Sequence, residues 1–193
     1  YYDSKSGVGE GFRNVVYTDE VNKNMLTGNY CYYNDSTGYS MATDSAVAID
    51  YSQRDTMYMH ADTFKVYTFY MDTDSMYREV RGYHKVRSYR MDVQSVCDSL
   101  VFDSRDTMYR DPIVWNGGQQ VLGEVIKVYL NDSTIDRIHV IDQTLSVERI
   151  DSVHYNQVAG KEMTSYFRDG EMYETWVNGN VYVDYYMFDD DSL

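Results

Sequence analysis

Hydrophobic and polar positions alternate along this chain in short runs, separated by clusters of Asn, Asp, Ser, Thr and Gly. Runs such as 14–20 (NVVYTDE), 45–50 (SAVAID), 56–61 (TMYMHA), 64–71 (FKVYTFYM), 124–130 (EVIKVYL), 137–142 (RIHVID) and 172–177 (MYETWV) have strand length and are rich in β-branched and aromatic residues. The pattern predicts an all-β chain with almost no helix. Asp169-Gly170 and Asn178-Gly179 are the expected tight hairpins, because these dipeptides tolerate the positive φ of the primed turns. In 56–61, period-two alternation puts Met57, Met59 and Ala61 on one face and Tyr58 and His60 on the other. Over 44–50 and 98–103 both faces are apolar, so alternation leaves the register there open.

The chain also echoes itself. RDTMY occurs at Arg54–Tyr58 and at Arg105–Tyr109, within a frame that places Gly28 on Gly82 and Asp44-Ser45 on Asp98-Ser99. The two copies span 28–78 and 82–130. A repeat of this period is a supersecondary unit that cannot bury its apolar face alone, so neighbours must stack. The expectation is one elongated domain over 1–193, a rolled, solenoid-like β-jellyroll in preference to a closed barrel or sandwich. Tyr2-Asp3-Ser4 matches Phe102-Asp103-Ser104, so the chain is expected to begin inside a repeat of a longer parent, and 188–193 to form an acidic tail.

Composition sharpens this picture. Twenty-two Tyr and a single Pro, Pro112, favour strands. A net charge of −14, from 31 acidic against 17 basic residues, argues against nucleic acid, whose phosphates need a positive footprint. The acid excess reads as solubility and turn chemistry. No run of about 18 apolar residues offers a membrane-spanning helix. Cys31 and Cys97 occupy non-equivalent places in the echo and read as two free thiols, or as one disulfide in an oxidising compartment.

Candidate chemistry is sparse. His60, His84, His139 and His154 lack metal-ligand spacing, and no nucleophile–base–acid set is legible, so the reading is non-enzymatic, with no cofactor and no metal. Asp72 and Asp74 could serve as paired carboxylates of a polysaccharide-acting enzyme or as calcium ligands, but Asp-Thr-Asp-Ser reads first as a turn. Trp115 and Trp176 are candidates for stacking on sugar rings.

Asp111-Pro112-Ile113-Val114-Trp115 with Gln119-Gln120 and Gly123, together with 24–30 (NMLTGNY), 60–66 (HADTFKV) and the series from Ala159 to Val183, resembles the OstA-like family of periplasmic lipopolysaccharide-transport jellyrolls, in its Bacteroidetes-type form. The resemblance implies a taco-like jellyroll open at both ends, whose apolar interior holds acyl chains of lipid A. It further implies partner jellyroll domains joined by edge-strand pairing, within a bridge across the periplasm or beside an outer-membrane translocon. On this reading the groove is lined by Val47, Ile49, Met57, Met59, Phe64, Val66, Val101, Met108 and Ile113. Head-to-tail self-association is expected through strands near Val15–Thr18 or Val181–Tyr186. The alternative is a secreted repeat module that binds polysaccharide through exposed aromatics.

Overall fold

The computed structural model describes residues 1–20, 23–52, 54–91, 93–103, 106–131, 134–169 and 171–186. The acidic tail at 188–193 and the predicted turn residue Gly170 lie outside the described residues. The described chain is all-β and contains no helix. Its strands are β1 (Tyr2–Asp3), β2 (Val8–Asp19), β3 (Asn24–Asn34), β4 (Tyr39–Asp50), β5 (Met57–Phe69), β6 (Tyr77–Tyr89), β7 (Val93–Phe102), β8 (Asp106–Arg110), β9 (Ile113–Asn116), β10 (Gln119–Leu122), β11 (Val125–Asn131), β12 (Thr134–Arg149), β13 (Tyr155–Arg168), β14 (Glu171–Asn178) and β15 (Tyr182–Asp184).

All belong to one antiparallel sheet, and β1 to β7 pair in sequence order. β8 and β9 then lie end to end along β7, and β10 and β11 end to end along β12. Because β8 also pairs with β11 and β9 with β10, the pairing runs β7-β8-β11-β12-β10-β9 and back to β7, with β8-β9 and β10-β11 forming two interrupted strands between β7 and β12. β13 follows β12 and carries β14 and β15 end to end on its far side.

A line of bends crosses the sheet at mid-strand. Consecutive residues take left-handed backbone at Arg13-Asn14 in β2, Asp44-Ser45 in β4, His84-Lys85 in β6 and Asp142-Gln143 in β12. At each of these places the register to the neighbouring strand slips, so that two residues oppose one, the count that defines a β-bulge. The facing strands accommodate the bend by a break in alternation: Ala61 and Phe64 are three residues apart and both fully buried, and so are the buried Cys97 and Leu100. A flat strand would send such pairs to opposite faces. The bends continue between β8 and β9, where Asp111 has φ 50°, and between β14 and β15, where Gly179 has φ 73° and Asn180 φ 51°.

The bend line sorts polar from apolar. On its outer side Arg13, Asn14, Asp44, Ser45, His84, Lys85 and Gln143 are exposed. On its inner side runs the core, in two clusters: Ala42, Ala46, Ala61, Phe64, Val86, Cys97 and Leu100, then Ile126, Val140 and Met163, with Tyr109 packed against both. Close approach along the line requires small residues. A Cβ on Gly82 would stand 2.9 Å from Phe64 Cε1, and one on Gly123 would stand 2.5 Å from Val140 Cγ1.

Two sequence expectations change here. Asn178-Gly179 is not a hairpin: β14 and β15 both pair with β13, and the dipeptide is one of the bends. The echo sets β3–β5 against β6–β8, three strands, so in an antiparallel meander its two copies run in opposite directions. The echoed Gly28 and Gly82 are both buried, but the two RDTMY copies differ in environment. Tyr58 of the first RDTMY is 47% exposed, whereas Tyr109 of the second packs in the core. The registers left open by alternation are fixed by pairing, with Ala46 opposite Ala61 and Leu100 opposite Gly82.

The bend generates a direct test. Ser45 has φ 64°, so Ser45→Gly is expected to change stability by less than about 1 kcal/mol, since glycine adopts this backbone freely but loses more entropy on folding. Ser45→Pro forces φ near −65° and drives Asp44 out of its left-handed conformation, and is expected to cost about 3 kcal/mol or more. Urea melts of the two variants check this ordering.

Candidate functional site

Because each strand bends, residues before and after the bend face one interior. Within β2–β6 this interior holds a cavity of about 530 Å³, inside the range of about 300–1,000 Å³ typical of small-molecule sites. Its lining includes Leu26 and Cys31 of β3, Ala48 of β4, Met59, Phe64 and Val66 of β5, and Val80 of β6, with Phe102 of β7. The turns that join the strands form two lips. Asp19, at the end of β2, and Arg78, at the start of β6, come from opposite lips and approach to 4.0 Å, so an ion pair spans the opening. The arginine side chain is half exposed, so the pair is screened and contributes little to stability. Tyr17, Met71 and Met76 also border the cavity, and Tyr17 and Met76 are exposed.

A second cavity of about 190 Å³ adjoins the first through Asp50, Met59 and Phe102, and is bordered by Met57, Ser88, Arg90, Thr107 and Tyr109. Burial, followed by the nearby Cys97, pushes the Tyr109 phenol up to about 12. Beside it the Ser88 and Ser95 hydroxyls satisfy one another at 2.6 Å, which lets two polar groups sit in the interior. The lips hold the remaining polar chemistry. Tyr33 donates its hydroxyl to Asp35, and this bond, with burial, raises the Tyr33 phenol to about 12. Asp50 accepts from the Ser52 backbone N–H at 2.8 Å.

Of the nine groove residues read from sequence, Met59, Phe64 and Val66 line the larger cavity, and Met57 with Met59 lines the smaller. Ile49 borders the larger cavity on a strand whose neighbours Ala46 and Ala48 pack in the core. Val47, Val101, Met108 and Ile113 border neither cavity. Val101 and Met108 sit opposite each other on adjacent strands, each next to inward residues, Leu100 and Phe102 on one side and Thr107 and Tyr109 on the other. Ile113 alternates with Val114, which packs in the second core cluster. Met108, the counterpart of Met57 in the second RDTMY, does not share its environment. Leu26 and Val80 went unread, although both alternate with the inward glycines Gly28 and Gly82.

The outer face carries aromatic and charged side chains in contact with one another. Tyr39 packs against Tyr32 and Tyr67 at 6.0 Å and 5.3 Å between ring centroids, and the Arg81 guanidinium lies 4.7 Å over Tyr67. Trp115 is half-buried and Trp176 is 60% exposed on β14. His139 and Glu162 meet across β12 and β13 at 2.6 Å. His154 and Asp151 meet at 2.6 Å in a turn, and this bond, with the Val153 and His154 backbone N–H groups, holds the Asp151 carboxyl down at about 2. Asp72 and Asp74 lie in the turn between β5 and β6, with Thr73 donating to Tyr70 and Met76 to Thr73. Among the described residues no three His, Cys, Asp or Glu side chains are grouped to hold a metal ion.

Comparison with protein-family models, with curated proteins and with solved structures finds no match to this chain.

Cys31 and Cys97 are both free, and burial raises both thiols, Cys97 to about 12. Since the thiolate is the reactive form, iodoacetamide at pH 8 is expected to modify half-buried Cys31 slowly and Cys97 only in denaturant. Peptide mass mapping of native and unfolded samples checks the order. Modification of native Cys97 at the rate of an unfolded thiol would contradict its place in the core.

Proposed function

We propose that this chain is a non-enzymatic lipid-binding and scaffold module that takes part in lipopolysaccharide transport in the cell envelope. The observation that carries the reading is the apolar cavity between the two halves of the bent strands, with Leu26, Met59, Phe64, Val66 and Val80 on its walls. Removal of each acyl methylene from water is worth about 0.8 kcal/mol, so a chain held there needs few polar contacts. Methionines at the wall and at the lip suit a site that must repack around acyl chains of differing length. The taco-like jellyroll of the OstA-like family and a periplasmic location belong to the same proposal. They draw support from the row of mid-strand bends, the lip-to-lip approach of Asp19 and Arg78, and the sequence resemblance over 24–30, 60–66, 111–123 and 159–183.

The sheet ends support a scaffold role. β1 covers β2 only near Val8 and Gly9, and beyond Glu10 the described partner of β2 is β3 alone. At the other end β13 is the one described partner of β14 and β15, while Met172, Tyr173, Trp176, Tyr182 and Val183 are all about half exposed or more. Unpaired strand edges with apolar side chains are templates for a further strand. A polysaccharide-binding module is the second reading, favoured by the exposed Trp176.

Two measurements test the proposal. A photoactivatable fatty acid is expected to crosslink to Leu26, Met59 and Val80 and not to outer-face Tyr67, and Val80→Arg is expected to lower labelling about tenfold or more by placing a charge in the cavity. Equal labelling of inner and outer positions, with retention on a glycan array, would favour the second reading. Light scattering is expected to show concentration-dependent association that weakens at low ionic strength, because the charge of −14 repels over longer distances there, and that is lost on Val16→Pro. A monomer at every concentration and salt would remove the scaffold role while leaving the lipid site.

A further inference from the structure

The charge around the interior is unbalanced, and the imbalance bears on which amphiphile the site accepts. The floor is apolar, built from Leu26, Ala48, Met59, Phe64 and Val80. Five carboxylates border the two joined cavities, those of Glu10, Asp19, Asp35, Asp50 and Asp55. Among the described residues only Arg78 and Arg90 answer them, and no described lysine borders either cavity. Arg78 is further engaged with Asp19. Asp19 is only 15% exposed at its side chain, so water screens its field towards the cavity less than it screens a free surface charge.

Resting on the lipid-binding reading, we propose that the cavity selects an amphiphile whose head group carries no net negative charge where it meets the lips. A tail laid on the apolar floor brings its head to the strand ends, among Asp19, Asp35 and Asp50. An ammonium or a hydroxyl-rich neutral head finds hydrogen-bond acceptors there, whereas a phosphate monoester meets carboxylates at short range in a partly desolvated rim. A phosphorylated glycolipid therefore enters by its acyl chains with its phosphates held clear of the lips.

The test uses three probes with one saturated chain length: lysophosphatidylcholine, an alkyl maltoside and lysophosphatidic acid, each displacing the neutral fluorophore N-phenyl-1-naphthylamine from the intact chain. At low ionic strength the zwitterionic and neutral probes are expected to bind about tenfold or more tightly than lysophosphatidic acid, the scale of one to two unit charges across a half-solvated rim. The gap should narrow in high salt and in Asp50→Asn, and further in Asp19→Asn with Asp50→Asn, with thermal melts confirming that the variants fold. Equal affinities at low ionic strength, or tighter binding of lysophosphatidic acid, would overturn this selectivity and leave the lipid reading intact. Failure of all three probes to displace the fluorophore would overturn both.

Discussion

Everything in this fold depends on bending one antiparallel sheet across its own strands. A strand resists such a bend, and this chain achieves it by placing two consecutive residues in left-handed backbone on β2, β4, β6 and β12. Each such non-glycine residue costs about 1–2 kcal/mol relative to right-handed backbone. The cost is offset by what the bend creates, an inner side where Ala42, Ala46, Ala61, Phe64, Val86 and Val140 are almost completely removed from water. Burial of a side chain of that kind returns about 1.5–3 kcal/mol for the larger members, so the line of strain and the core are two sides of one feature.

The same bend explains the residue types along it. On the convex side the side chains splay apart into solvent, which suits Arg13, Asn14, Asp44, Ser45, His84 and Lys85, and Asn and Asp visit the left-handed region more readily than most residues. On the concave side backbones approach, and Gly82 leaves the space that the Phe64 ring occupies. Away from the line the strand halves diverge, which leaves room for a cavity in place of a filled core at β2–β6. Towards β11–β13 the paired Ile126, Val140 and Met163 form a filled row on the inner side. One sheet therefore carries a hollow end and a packed end.

That asymmetry links architecture to the proposed chemistry. The hollow end has apolar walls, methionines at its lip and an ion pair spanning it, and the charges stand at strand ends where the chain turns. Beside the smaller cavity the Ser88 and Ser95 hydroxyls satisfy one another, so two polar groups are accommodated in the interior. A site that works by excluding water from a hydrocarbon chain needs shape and an apolar wall, and this sheet supplies both by geometry alone.

Period-two alternation by itself determined the class of fold, most of the strands, and the shared face of Met57, Met59 and Ala61, whereas Phe64 and Val66 join that face only because the strand breaks its alternation at the bend. That signal is local and arises from the pleat, so a strand carries it whatever its partners. Only the tertiary structure decided where the sheet bends, because a pair such as His84-Lys85 is unremarkable until its neighbours set the register. It also decided the faces of Val47, Val101, Met108 and Ile113, which strand pairing sets and local sequence does not. The Asp19–Arg78 approach joins residues far apart in the chain, and no spacing rule reaches across that distance. Alternation is written into each strand, whereas the cavity exists only between strands, and that is why the fold was legible in the sequence and the site was legible only in part.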